Sequence, residues 1–203
     1  MLALGNPGAE FENTYHNAGI MALPKVISAL TGDDISNLDW KKYKNIFAYA
    51  EINPSSYPLS ALRYPLVFVR SLTFMNESGI AATEALKKFD VKPEDLIVIH
   101  DDSDITLGDY KISFDRSSGG HKGAQSIIDH LKTQTFTRAR IGIRPAVAKA
   151  MASKPAKESK RQKAGDFVLK KITASGRKIL EKVFEDTATA IKVSLVNKDL
   201  SQK

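Results

Sequence analysis

The stretch Gly5-Asn6-Pro7-Gly8-Ala9-Glu10-Phe11-Glu12-Asn13-Thr14-Tyr15-His16-Asn17-Ala18-Gly19 packs turn formers, amides and one histidine between a short apolar run and an apolar helical pattern that begins at Ile20. A loop joining a strand to a helix reads this way, and loops held by rigid elements often carry chemistry. Proline presets φ and glycine tolerates positive φ, so Asn6-Pro7-Gly8 fixes a turn. His16 stands just before Asn17, whose short amide suits the N-cap of the helix that follows. Two readings fit the stretch alone: an active-site loop, or a plain turn in which His16 is only the neighbour of a cap.

Working outward, residues 17–30 place apolar side chains at helical spacing, with Gly32 as the stop and Pro24 as a point of kinking or a reset start. Residues 46–52 and 66–70 read as strands separated by a loop at 53–58. Residues 71–79 open a helix that runs to Phe89. Leu96-Ile97-Val98-Ile99 is apolar on both faces and predicts a central strand that ends in His100-Asp101-Asp102-Ser103-Asp104. Residues 110–114 alternate as a strand that need not be parallel, 124–131 suit a helix, and 139–143 a final strand. Residues 147–164 are mostly Ala, Lys, Ser and Arg and predict a mobile basic loop before a last helix at about 175–196. The alternation predicts an α/β single-domain sandwich over residues 1–203, with a central mixed, twisted sheet flanked by helices.

At 203 residues and 42% hydrophobic content the chain suits one well-buried core. It has no cysteine, which excludes a disulfide framework, a zinc-thiolate site and a cysteine nucleophile. No stretch of 18 apolar residues and no basic leader with a long apolar core occur, so neither a membrane span nor a signal peptide is expected, and the protein is read as soluble and intracellular. The formal charge of +7 and pI near 9.4 favour an anionic partner, for which nucleic acid is the commonest explanation. The alternative is that the charge sits in the solvated basic tract.

Several signatures are absent: the Walker A loop, Gly-x-Gly-x-x-Gly, His-Glu-x-x-His and Gly-x-Ser-x-Gly. What remains are polar residues at element ends. If His16 and Asp101 meet, the carboxylate orients the imidazole and stabilises its protonated form, leaving the other nitrogen to take a proton from water. Asp101, Asp102 and Asp104 also fit a solvated turn or a hard-metal site, the metal reading being disfavoured because no second acidic cluster lies nearby in sequence. Asn76 fits a helix cap as well as a site. Gly119-Gly120-His121-Lys122-Gly123 fits a flexible connector or a backbone cradle for an anion. All four loops fall at the expected ends of one sheet, which makes the plain readings jointly less favoured.

Gly5-Asn6-Pro7-Gly8, Thr14-Tyr15-His16-Asn17-Ala18-Gly19, Phe74-Met75-Asn76-Glu77-Ser78-Gly79, His100-Asp101, Gly119-Gly120-His121 and Arg140-Ile141-Gly142-Ile143, in this order, resemble the bacterial-type peptidyl-tRNA hydrolases. The resemblance runs from Leu2 to about Leu169. It implies a monomeric, metal-independent esterase without cofactor that frees peptides from prematurely released peptidyl-tRNA in the cytoplasm, or in an organelle such as the mitochondrion if the source is eukaryotic. By that resemblance His16 is the general base, Asp101 its orienting partner, and Asn6 and Asn76 hold the peptide backbone and the attacking water. Asn17, Tyr15, Phe74, Met75, His121 and Lys122 are expected around the substrate, with Asn17 near the tRNA acceptor end and terminal CCA. Arg140 matches a position the family uses on a tRNA phosphate, and Lys111 lies close to where a second phosphate-gripping lysine would fall, at Ser113. Tyr15 replaces the family's usual arginine and Lys122 its asparagine. The rival expectation is an RNA-binding homologue of the same fold with weakened or lost activity.

Overall fold

The structure is a computed structural model that describes residues 1–32, 34–53, 65–145 and 167–200. The expected loop at 53–58, apart from Asn53, and the basic tract at 147–164 lie outside the described residues.

Among the described residues seven strands form one sheet, in the order β2 (Lys41–Tyr43), β3 (Phe47–Ile52), β4 (Leu66–Ser71), β1 (Leu2–Ala3), β5 (Ile97–Thr106), β7 (Thr137–Arg144) and β6 (Tyr110–Phe114). β1, β4, β5 and β7 run parallel at its centre. β3 and β6 flank them antiparallel, and β2 pairs with β3 at one edge. The sheet is therefore mixed, as expected. The short polar segment Lys41-Lys42-Tyr43 carries no strand periodicity and was not anticipated.

Helices cover both faces. α1 (Ala18–Thr31) and α4 (Ala174–Leu200) lie on one side, where Leu23, Ile27, Ile99, Ile141, Leu180 and Phe184 share a core. α2 (Ser78–Phe89) and α3 (Lys122–Leu131) lie on the other, over Leu2, Phe47, Val98, Ile127 and Phe136. Each such side chain contributes about 1.5–3 kcal/mol on full burial. α1 ends at Gly32, whose φ of 79° is the left-handed cap a side chain would disfavour. Pro24 neither ends α1 nor resets its start, because Ala22, Leu23, Val26 and Ile27 on either side of it are buried against the sheet. α4 extends beyond the expected 175–196 at both ends.

The acidic run departs from the sequence reading. His100 to Asp104 do not form a turn after a strand ending at Ile99; they stay inside β5, which continues to Thr106. A register shift between Asp102 and Thr106 lets the strand absorb extra residues while still pairing with β7. Within this run Asp101 meets His16 and His121, and Asp102 meets Arg140.

Candidate active site

Because β1, β4, β5 and β7 are parallel, their carboxyl ends lie on one edge of the sheet, where α/β sheets tend to place ligands. The loops after β1 and β4 emerge there. The loop after β6 does not: Phe114 pairs with Thr137 at the level of Ile97, the opposite end, since β6 is antiparallel. The chain of this loop must climb back over the sheet before His121 reaches Asp101.

His16 sits in a single 3-10 turn, Tyr15–Asn17, at the entrance to α1. Its backbone N–H donates to the Val168 carbonyl at 2.8 Å, and Ile172 N–H donates to Asn13 at 2.8 Å. Lys171 Nζ donates to the carbonyls of Glu10 and Glu12 at 2.8 and 2.6 Å. The segment after residue 166 therefore straps the histidine loop from outside. From inside, Gly19 lets α1 touch the sheet, since a Cβ there would collide with the Ile99 carbonyl oxygen.

His16 Nδ1 lies 2.9 Å from Asp101 Oδ1, and His121 Nε2 reaches the same oxygen at 3.0 Å. His121 is the N-cap of α3, and its Nδ1 accepts the Ala124 N–H at 3.1 Å. Its proton must then be on Nε2, which donates to Asp101. His16 likewise donates through Nδ1, leaving Nε2 as a free lone pair. Burial alone would push the Asp101 carboxyl up, but attraction to His121 and His16 and their N–H donors hold it well below the usual carboxylate range. Beneath them His100 is fully buried, its ring centre 4.4 Å from that of His121 and tilted 47° to it. Burial, with the neighbouring His121 adding to it, keeps His100 well below the ordinary histidine value.

The amides meet at a second node. Asn6 Oδ1 accepts the Met75 N–H at 2.8 Å, joining the loops after β1 and β4. Asn17 is at the N-cap position of α1, but its side chain does not cap. It pairs with the Asn6 backbone instead, accepting from N at 2.8 Å and donating to O at 3.0 Å. Asn76 does not cap α2 either; it lies exposed in the 3-10 turn Met75–Glu77, with Glu77 at the cap position. Asn76 and Lys122, the first residue of α3, line one pocket of about 390 Å³ with Ser118, Gly120 and Gln125. Phe74 is half exposed, edge-on to Phe11 at 6.3 Å. Tyr15 packs edge-on to Phe167 at 6.5 Å.

Lys111 and Arg140 face each other across β6 and β7. Arg140 Nε donates to Asp102 Oδ2 at 2.7 Å and its NH1 to Ser113 at 3.3 Å. His16, Asp101 and His121 also form a group whose ligand-type atoms lie within 4.8 Å of one another. A metal there would need the lone pair of a nitrogen that carries the proton given to Asp101.

Sequence reasoning did not single out Arg138 or Lys171, and it gave no role to Val168 or to His100, the latter named only as part of the His100-Asp101 motif. Arg138 was legible in one respect, since it stands two residues before Arg140 and so shares its face of β7.

The model of a family described as Peptidyl-tRNA hydrolase matches residues 1–203. A peptidyl-tRNA hydrolase of Persephonella marina is 33% identical over 192 residues, 94% of this chain and 87% of its own length. One of Mycoplasma capricolum is 34% identical over 191 residues, covering 94% and 89%. The crystal structure of peptidyl-tRNA hydrolase from Acinetobacter baumannii aligns with TM-score 0.75 and 23% identity over 99% of this chain and 89% of that one, a likeness of fold.

Proposed function

The chain belongs to the peptidyl-tRNA hydrolase family and hydrolyses the ester between a peptide and the terminal ribose of tRNA, and we propose that His16 is the general base of that reaction. The observation that carries this reading is the 2.9 Å contact of His16 Nδ1 with Asp101 Oδ1. It leaves Nε2 free to remove a proton from water as the water oxygen attacks the ester carbonyl. The carbonyl π pair moves onto oxygen, and Asp101 stabilises the imidazolium. That imidazolium returns its proton to the ribose oxygen as the carbon–oxygen bond breaks, giving the peptide acid and a free tRNA hydroxyl.

Donors around the reacting centre stabilise the developing oxyanion. Asn6 spends its Oδ1 on Met75 and keeps its Nδ2 for the peptide backbone. Asn76 and Lys122 face one pocket and supply an amide and a cation to the water and the carbonyl. Asn17 acts by holding Asn6, and Phe74 offers an exposed ring to the substrate. Arg140 and Lys111 take phosphates of the acceptor stem above the terminal CCA, consistent with the formal charge of +7. The chain works as a cytoplasmic monomer. Release of peptide from a purified N-acyl-aminoacyl-tRNA by the wild type and by His16→Ala tests the assignment.

A further inference from the structure

Among the described residues Arg138 is the one buried Lys or Arg, 2% exposed in β7. Its NH2 donates to the carbonyls of Arg116 and Ser117 at 3.2 and 2.6 Å, and its NH1 to that of Ser118 at 3.5 Å. No carboxylate lies within ion-pair distance of it among the described residues, and the charge of Asp102, which Arg140 holds, acts on it only from farther off. A buried charge without an acid partner is costly, and an apolar side chain of similar size often serves stability as well or better. The guanidinium is instead spent on three successive carbonyls of a loop.

That loop is the one that leaves β6 at the far end of the sheet. From the level of Phe114 to that of Asp101 it climbs four residues of strand, about 13 Å at the usual rise. It passes through Gly119 and Gly120, both at positive φ, where the backbone has most freedom to lose. The Ser118 carbonyl that accepts from Arg138 also accepts the His121 N–H at 3.2 Å. Ser118 Oγ adds bonds to Gln125 and Gly120. One carbonyl therefore links the buried guanidinium to the histidine against Asp101.

We propose that Arg138 is a positioning residue for hydrolysis: by holding the carbonyls of residues 116–118 it sets the turn that delivers His121 to Asp101. The proposal rests on the reading of Asp101 and His16 given above. Arg138→Lys keeps the charge but loses the planar fork that reaches several carbonyls at once.

The test is a cycle of Arg138→Lys with His121→Asn, a change that retains a capping side chain for Ala124 but is too short to reach Asp101. In folded protein, Arg138→Lys is expected to lower kcat about ten- to a hundredfold with KM for peptidyl-tRNA unchanged, the scale of a small misplacement of a positioned group. In the His121→Asn background it is expected to add nothing. Wild-type kcat, a change confined to KM, or full additivity overturns the role of Arg138. Wild-type kcat in His121→Asn alone also overturns it, since delivery of His121 would then not matter, whereas wild-type kcat in His16→Ala overturns the reading of the site beneath it. If Arg138→Lys does not accumulate folded, Arg138→Gln, which keeps one amide donor for the same carbonyls, makes the same comparison: a loss of kcat that is silent in His121→Asn supports the proposal, and an additive one or none overturns it.

Discussion

Nδ1 of His16 lies 2.9 Å from Oδ1 of Asp101 across 85 positions of sequence. Neither residue is remarkable alone. The pair exists because α1 enters the sheet beside β5, with Gly19 permitting the contact, and because β5 continues past the apolar run that first identifies it. Asp101 is 1% exposed and His16 8%, so the carboxylate is shut off from water while an edge of the imidazole remains open.

Asp101→Asn removes the charge that supports the imidazolium but leaves the base in place. The expected loss in kcat is about ten- to a hundredfold, the worth of a hydrogen bond to a charged group, and smaller than that of removing His16. Because the Asp101 carboxyl is held well below the usual range, its own titration should add no limb to the wild-type profile between pH 5 and 8. Rates of this variant equal to wild type across that range would break the pairing.

His100 gives stability a pH dependence of known sign. Buried neutral, with Nδ1–H donating to the Asp101 carbonyl at 2.6 Å and Nε2 unpartnered, it binds a proton less readily folded than unfolded. Stability is then full above the unfolded histidine value near 6.5 and falls as pH drops below it, by at most about 1.4 kcal/mol per pH unit. Urea midpoints at pH 7.5 and 5.5 measure this, and His100→Gln should flatten the difference. An unchanged slope in the variant assigns the effect elsewhere.

The fold was legible where periodicity was strong: residues 110–114 form β6 with the bounds read from alternation, and Gly32 stops α1. The candidate site was legible as residue types, and the structure brings His16 to Asp101. Its supports were not. The HDDSD run looks like a turn because its burial depends on His16, His121 and Arg140, each distant in sequence. Asn17 looks like a capping residue because its true partner, the Asn6 backbone, is set only by the closed loop. An antiparallel β6 reverses the end at which the His121 loop begins, and local sequence does not record strand direction.

Arg140→Gln combined with Lys111→Gln should raise KM for peptidyl-tRNA with little change in kcat. If each cation contacts one phosphate, the slope of log affinity against log salt should flatten by roughly 1.4–1.8 for two contacts. An unchanged slope would put the tRNA on another face.

Lys122 is exposed at the start of α3 and shares a pocket with Asn76. Its flexible stem makes it a less well-aimed donor than an amide, and its charge opposes the imidazolium that forms on His16. Lys122→Asn is therefore expected to raise kcat several-fold, on the scale of one imperfect hydrogen bond of about 1 kcal/mol. A fall in kcat would make the ammonium the working oxyanion donor.

The central claim is tested by peptide release from a purified N-acyl-aminoacyl-tRNA, with unblocked aminoacyl-tRNA as the control and tRNA binding measured in parallel. The wild type should turn over the blocked substrate and spare the control, and His16→Ala should lose about 10²- to 10⁴-fold in kcat while binding tRNA as before. A wild type that binds tRNA and releases no peptide, or a His16→Ala variant within a few-fold of wild type, contradicts the account.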